Sequence, residues 1–241
     1  MEAFRIPHLP SAAYYIPNFI TKDEEEALLA KVYAAPKPKW VTLSRRRLQN
    51  WGKYCLTVDG VRGVPSARGT LLEPLPAWLT WPVQRLVEQG VFPADAPANH
   101  CLVNEYLPGQ GIMPHEDGPF YLPCVATISL GSHTVLDLYP PQEQSHRDGC
   151  GENGCESDSA HARLPAASLL LERRSLFVQC DDVYRSYMHG IAERAEDDLA
   201  NTDGTLLLPP PQAAIQERST RVSLTYRRVA KAIRSPMLFR R

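Results

Sequence analysis

Residues 221–227 read Arg221-Val222-Ser223-Leu224-Thr225-Tyr226-Arg227. Apolar and polar side chains alternate without a break, and a period of two belongs to a β-strand, whose successive side chains point to opposite faces. Val222, Leu224 and Tyr226 make one face, and Arg221, Ser223, Thr225 and Arg227 make the other. If that second face looks inward, each arginine leaves a charge away from water, at several kcal/mol unless an anion meets it. The strand therefore predicts a β-built cavity that receives something negatively charged. The competing reading is an edge strand whose arginine face is solvated.

Upstream the same period recurs. Residues 100–106 place Leu102, Asn104 and Tyr106 on one face, and 125–130, 134–139, 168–171 and 176–179 are further β-rich runs, most of them bounded by Gly or Pro. Together they predict a sandwich or barrel of about eight strands. The N-terminal part follows another period. Thr21-Lys22-Asp23-Glu24 is a capping box, Leu28, Leu29, Val32 and Tyr33 follow the helical repeat, and Pro36 and Pro38 stop the helix near Ala34. A second helix is expected over 77–89, kinked or delayed by Pro82. Residues 140–165 and 193–216 are polar, contain Pro and Gly and have no period, so long loop insertions are expected there. With no internal repeat and no linker composition, residues 1–241 are read as one domain of helices packed on a mostly β core.

The chain has 241 residues, 44% hydrophobic and 22% charged, with a net charge of −1. That composition excludes a disordered, collagenous or coiled-coil chain. No run approaches the ~18 apolar residues of a membrane span, and the first residues lack a signal-peptide pattern. A soluble, non-secreted protein is expected, with Cys55, Cys101, Cys124, Cys150, Cys155 and Cys180 as reduced thiols in cytoplasm or nucleus. Charge is unevenly placed. Lys37, Lys39, Arg45, Arg46 and Arg47 have no acid among them, and the stretch from Arg218 to Arg241 has eight basic residues and no acid. The 140–165 loop is acidic and also holds His146, Cys150, Cys155 and His161, which fits either a zinc site or a solvated insertion.

The chemistry concentrates at His115-Glu116-Asp117, where an imidazole and a carboxylate stand two residues apart. A second histidine would complete the two-His, one-carboxylate arrangement, which leaves three positions on Fe(II) open for a chelating cosubstrate and O2. His189, followed by Gly190, is the best candidate, with His100 and His133 as alternates. A dicarboxylate cosubstrate also needs a cation deep in the barrel, which Arg221 or Arg227 supplies. Residues 36–54 interleave Arg45, Arg46 and Arg47 with Trp40, Trp51 and Tyr54, as a strand-binding nucleotide-recognition lid requires: cations for phosphate and rings for stacking. Trp40 and Trp51 as core residues are the plainer alternative.

The ordered set Asn104-x-Tyr106, His115-x-Asp117, Ser129-Leu130-Gly131, His189-Gly190-Ile191 and Arg221-x5-Arg227 resembles the AlkB-like Fe(II)/2-oxoglutarate-dependent dioxygenases. Pro36-Lys37-Pro38-Lys39-Trp40 and Leu48-Gln49-Asn50-Trp51-Gly52 are similar to the sixth AlkB homologue subgroup. The resemblance implies a double-stranded β-helix (jelly-roll) core with N-terminal helices, and Fe(II), 2-oxoglutarate and O2 as reactants. It implies iron on His115, Asp117 and His189, the cosubstrate on Asn104, Tyr106 and Arg221, and Arg227 nearer the metal. Several members carry a second acid two residues after the ligand Asp; here that position is Pro119. The implied activity is oxidative demethylation of N-methylated bases, in RNA before DNA. Hydroxylation or demethylation of a protein side chain, and a nucleic-acid-binding module with little turnover, are the rivals. A monomer in cytoplasm and nucleus is expected, with single-stranded RNA as partner and no membrane.

Overall fold

The alternating strand lies in the middle of a sheet. In chain order the strands of the computed structural model are β1 (Ala13–Ile16), β2 (Trp40–Leu43), β3 (Arg46–Trp51), β4 (Thr70–Leu71), β5 (His100–Tyr106), β6 (Ile112–His115), β7 (Tyr121–Leu130) and β8 (Thr134–Tyr139). There follow β9 (Ala167–Leu171), β10 (Leu176–Cys180), β11 (Met188–Ile191), β12 (Glu196–Asp198), β13 (Ile215–Glu217), β14 (Arg221–Val229) and β15 (Ala232–Ile233). The helices are α1 (Lys22–Tyr33), α2 (Ala77–Glu88) and α3 (Asp181–Ser186). The structure describes residues 1–7, 9, 12–52, 70–71, 73–118, 120–141, 164–199, 214–230 and 232–233.

Seven strands in the order β1-β10-β7-β14-β5-β3-β2 form the larger sheet, and β6-β11-β8-β9 form the smaller one. The strand pairs within both are antiparallel, so the two sheets make the jelly roll. β14 pairs on both sides, with β7 and with β5. Its apolar face, Val222, Leu224 and Tyr226, is wholly buried against Leu28 and Val32 of α1 and Leu79, Val83 and Leu86 of α2. Burying side chains of this size contributes about 1.5–3 kcal/mol each. Between the sheets a second cluster joins Tyr106 and Phe177 to Leu136, Leu138, Leu169, Leu171 and Ile191. The helices thus hold the outer face and leave the polar face of β14 to the interior.

Local signals act as read. The Glu24 backbone N–H donates to Thr21 Oγ1 (3.2 Å), and the Glu24 carboxylate accepts from the Thr21 N–H (2.8 Å). Pro82 does not delay α2, which begins at Ala77 and buries Pro82 within it. Glu25, with no exposed surface, accepts from Arg173 (2.6 Å) and from the Gly131 N–H (2.8 Å), tying α1 to the β7–β8 and β9–β10 turns that link the two sheets. Gly131 has φ +80°, and a Cβ there would lie 2.6 Å from the Thr220 carbonyl oxygen. Only glycine meets both conditions without strain.

Two expectations are corrected. Residues 193–216 are not loop throughout, because β12 and β13 pair as a hairpin. Its anchor is Asp197, which is fully buried and accepts two bonds of 2.7 Å from Arg218 and a contact of 3.2 Å from His133. A hairpin held by a buried ion pair carries no apolar alternation for a sequence reading to find. Secondly, Cys124 and Cys180 are not separate thiols: they stand directly opposite each other in the β7–β10 register and are disulfide-bonded. Their separation of 56 residues hides a pairing that the strand register creates. Cys101 is a free, buried thiol. The acidic loop with His146, Cys150, Cys155 and His161 lies outside the described residues, as do 200–213.

Burial alone would raise the Asp197 carboxyl, but hydrogen bonds from His133 and Arg218 overcome it and hold the group down at about 2, from an ordinary 3.8. A depressed folded pKa stabilises above the unfolded value and loses that contribution as pH falls toward the folded one. Asp197→Asn should therefore cost about 3 kcal/mol at neutral pH. It should also flatten the loss of stability between about pH 4 and 2. Urea denaturation followed by circular dichroism across that range is the measurement, and an unchanged acid limb would remove Asp197 from this role.

Candidate active site

Because the two sheets face each other, the polar side of β14 looks across a cavity of about 450 Å³. The cavity is lined from β14 by Arg221, Ser223, Thr225 and Arg227, and from β5 by His100, Leu102, Asn104 and Tyr106. The smaller sheet closes it with His115, His189 and Ile191. Both alternations seen in the sequence therefore point at the same space.

The metal candidates meet through strand register. β6 ends at His115, whose partner on β11 is His189, and their rings lie 4.4 Å apart. Asp117 follows two residues later, and one ligand atom from each of the three lies within 4.8 Å of the others. His115 Nδ1 is 2.9 Å from the Met113 carbonyl oxygen, so that nitrogen carries the proton and Nε2 is free to ligate. Burial lowers His189 to about 4, against the opposing pull of Asp117, so its imidazole is neutral at pH 7 as a ligand must be. Burial would raise Asp117, but Arg227 outweighs it and keeps the carboxylate ionised. Arg227 does so with a fork of 2.6 and 3.2 Å. Two imidazoles and a carboxylate on one face suit Fe(II).

The two inward arginines differ. Arg227 is committed to Asp117, whereas Arg221, 4% exposed, donates to the neutral Ser129 hydroxyl (2.9 Å), and its Nε has no partner. Among the described residues no carboxylate forms an ion pair with Arg221. Burial pulls its guanidinium down to about 10. Such a group needs an anion, and Arg221 rather than Arg227 is placed to receive one. Tyr106 lies in the same part of the cavity, and burial raises its phenol, which stays a donor.

The expected lid divides between two faces. Trp51 meets Trp78 edge-on at 5.5 Å and donates to Gln49, and Trp40 lies under Arg47 at 4.2 Å. Both rings share the outer face with Gln49, which donates to Val32 of α1, so they pack on the helices and do not reach the cavity. Arg45, Arg46 and Arg47 each have an internal partner: Glu193 (3.2 Å), Asn104 (3.2 Å) and a bidentate Glu105. Tyr54 and Pro119 lie outside the described residues. His133 is held by Asp197 away from the cavity, and His100 lies in it, its Nε2 2.8 Å from Asn50 Oδ1 and its ring 5.4 Å from the Tyr121 ring. Asn50, Tyr121 and Gln179 are cavity residues that the sequence reading passed over. The alternation of 46–51 could have set Arg46 and Asn50 on one face, apart from Trp51.

The fold and this donor set define an iron- and 2-oxoglutarate-dependent oxygenase: residues 12–227 match the 2OG-Fe(II) oxygenase superfamily, and the chain belongs to it. Within it the similarity is to the sixth AlkB homologue subgroup, at 45% identity over 98% of this chain and 93% of the "Probable RNA/DNA demethylase ALKBH6" of Danio rerio. The tRNA (carboxymethyluridine(34)-5-O)-methyltransferase alkbh8 of Xenopus tropicalis is 24% identical over 92% of this chain but only 32% of its own length. Among solved structures, that of OsALKBH1 shares the fold with a TM-score of 0.55 and 15% identity, covering 92% of this chain and 100% of the other.

Single changes of His115, Asp117 or His189 to Ala should each abolish tight binding of Fe(II), or of Mn(II) as its stand-in, without unfolding the protein. Arg221→Ala should weaken 2-oxoglutarate binding about ten- to hundredfold at unchanged metal affinity. Arg227→Ala should instead weaken the metal, since it frees Asp117. Calorimetric titration of metal and then cosubstrate separates the two, and equal effects on cosubstrate affinity would refute the division.

Proposed function

We propose that this oxygenase removes N-methyl groups from bases in nucleic acid, with single-stranded RNA preferred over DNA. The observation that carries the reading is the wall of the cavity formed by Asn50, His100 and Tyr121, which joins flat rings to hydrogen-bonding edges on the side where Arg227 holds Asp117. A methylated base is flat, with donors and acceptors on its rim, and enters such a site only once out of its stack. The names of the Danio rerio and Xenopus tropicalis relatives, an RNA/DNA demethylase and a tRNA-modifying enzyme, lend support.

Bound iron, with 2-oxoglutarate and O2, supplies the oxidising equivalent that hydroxylates a methyl C–H. The hydroxymethyl amine then breaks its C–N bond, giving formaldehyde and the free base nitrogen. His115, Asp117 and His189 hold the metal, Arg227 keeps Asp117 ionised and aimed, and Arg221 with Asn104 and Tyr106 orients the cosubstrate. Val125, Leu136 and Phe177 line the cavity with apolar surface and exclude water. Because Arg45, Arg46 and Arg47 are each engaged within the protein, phosphate attraction falls to Lys37 and Lys39. This reading includes action as a monomer in cytoplasm and nucleus.

The test is formaldehyde and succinate release over a panel of N-methylated RNA and DNA oligonucleotides and methylated peptides. RNA oligonucleotides should turn over fastest, with affinity falling as salt rises. Asn50→Ala and His100→Ala should lower kcat/KM for methylated RNA at least tenfold while leaving 2-oxoglutarate affinity unchanged. Turnover of peptides without turnover of oligonucleotides would replace this reading with the protein-substrate one.

A further inference from the structure

Arg46 stands out among the three consecutive arginines of the β2–β3 hairpin. Arg47 faces the other side of the sheet, and Arg45 reaches Glu193 at the hairpin tip, whereas Arg46 turns into the cavity. There its Nε donates across the β3–β5 pair to Oδ1 of Asn104, at 3.2 Å. Among the described residues Arg46 forms no ion pair. We infer that Arg46 is a positioning residue for the cosubstrate: it fixes which end of the Asn104 amide faces the cavity. This rests on the cosubstrate lying against Asn104, Tyr106 and Arg221.

The argument is one of donors and acceptors. An asparagine amide has nearly the same shape either way round, but one end only accepts and the other only donates. A guanidinium has five donors and no acceptor, so the Asn104 atom it touches must be the carbonyl oxygen. The NH2 group is then the end left for the cavity, where a carboxylate or keto oxygen needs a donor. Turned over, the amide would set its oxygen against the cosubstrate's oxygens and leave Arg46 facing two N–H groups. The contact with Arg46 thus keeps a repulsive arrangement from competing with a bonded one. The pairing of Leu48 with Asn104 brings the two strands together, and the Arg45–Glu193 pair holds the turn from which Arg46 extends.

The experiment is a double-mutant cycle read by calorimetric titration of 2-oxoglutarate into the Mn(II)-loaded protein, with no nucleic acid present. Its outcome is therefore separate from the substrate reading. Arg46→Ala and Asn104→Ala should each weaken cosubstrate binding about tenfold, the worth of one hydrogen bond to a charged group. The double variant should be no weaker than Asn104→Ala within a factor of about two, because Arg46 acts through that side chain. Arg46→Lys, which still donates to Oδ1, should recover most of the loss, and Mn(II) affinity and melting temperature should stay as in the parent. In turnover the change should appear in KM for 2-oxoglutarate with kcat little altered. Full additivity in the double variant would overturn the inference by showing that Arg46 touches the cosubstrate directly. Unchanged binding in Arg46→Ala would also overturn it. If Asn104→Ala alone binds normally, the cosubstrate does not use Asn104, and the premise fails rather than the coupling.

Discussion

Two guanidinium groups on the inner face of β14 set the terms for the rest of the molecule. Neither reaches solvent, so each has to be met by a negative group or remain a standing penalty. Arg227 is met from within, by the Asp117 carboxylate of the candidate metal site, and this contact ties the residues after β6 to the larger sheet. Arg221 has only a hydroxyl. The same strand therefore completes one charge pair by folding and leaves the other guanidinium without a carboxylate among the described residues, three repeats of the strand pleat away.

The outer layer makes this arrangement affordable. With Val222, Leu224 and Tyr226 sealed under α1 and α2, β14 cannot slip its register by one residue without turning the apolar face into the cavity and the arginines under the helices. Antiparallel pairing on both sides then carries the constraint to β5 and β7, so that Tyr106 arrives opposite Arg221, and Asn104 and Ser129 opposite Ser223. The smaller sheet is held differently, by packing within the jelly roll and by the Asp197–Arg218–His133 cluster on the β12–β13 hairpin.

The hairpin of β2 and β3 shows how the same side chains serve structure and site at once. Its two tryptophans and Arg47 build the outer face, while Arg46 and Asn50 stand on the cavity side. A basic and aromatic composition was a fair signal that this segment mattered. It could not tell stacking on a base from stacking on a helix, because both use the same rings.

Alternation in 100–106 and 221–227 was enough to show that Asn104 and Tyr106, and Arg221 and Arg227, share faces, since a period of two is a property of one strand alone. The capping box and helical period of α1 were legible for the same reason, as was the His115-x-Asp117 pair. Everything that depended on one strand meeting another waited for the tertiary structure. Register chose His189 over His100 and His133 by setting it beside His115. Register also joined Cys124 to Cys180 and gave Arg227, not Arg221, to Asp117. The face of β3 that looks inward was decided by where the helices sit. Pairings between strands far apart in sequence are set by the packing of the whole sheet, and no local pattern encodes them.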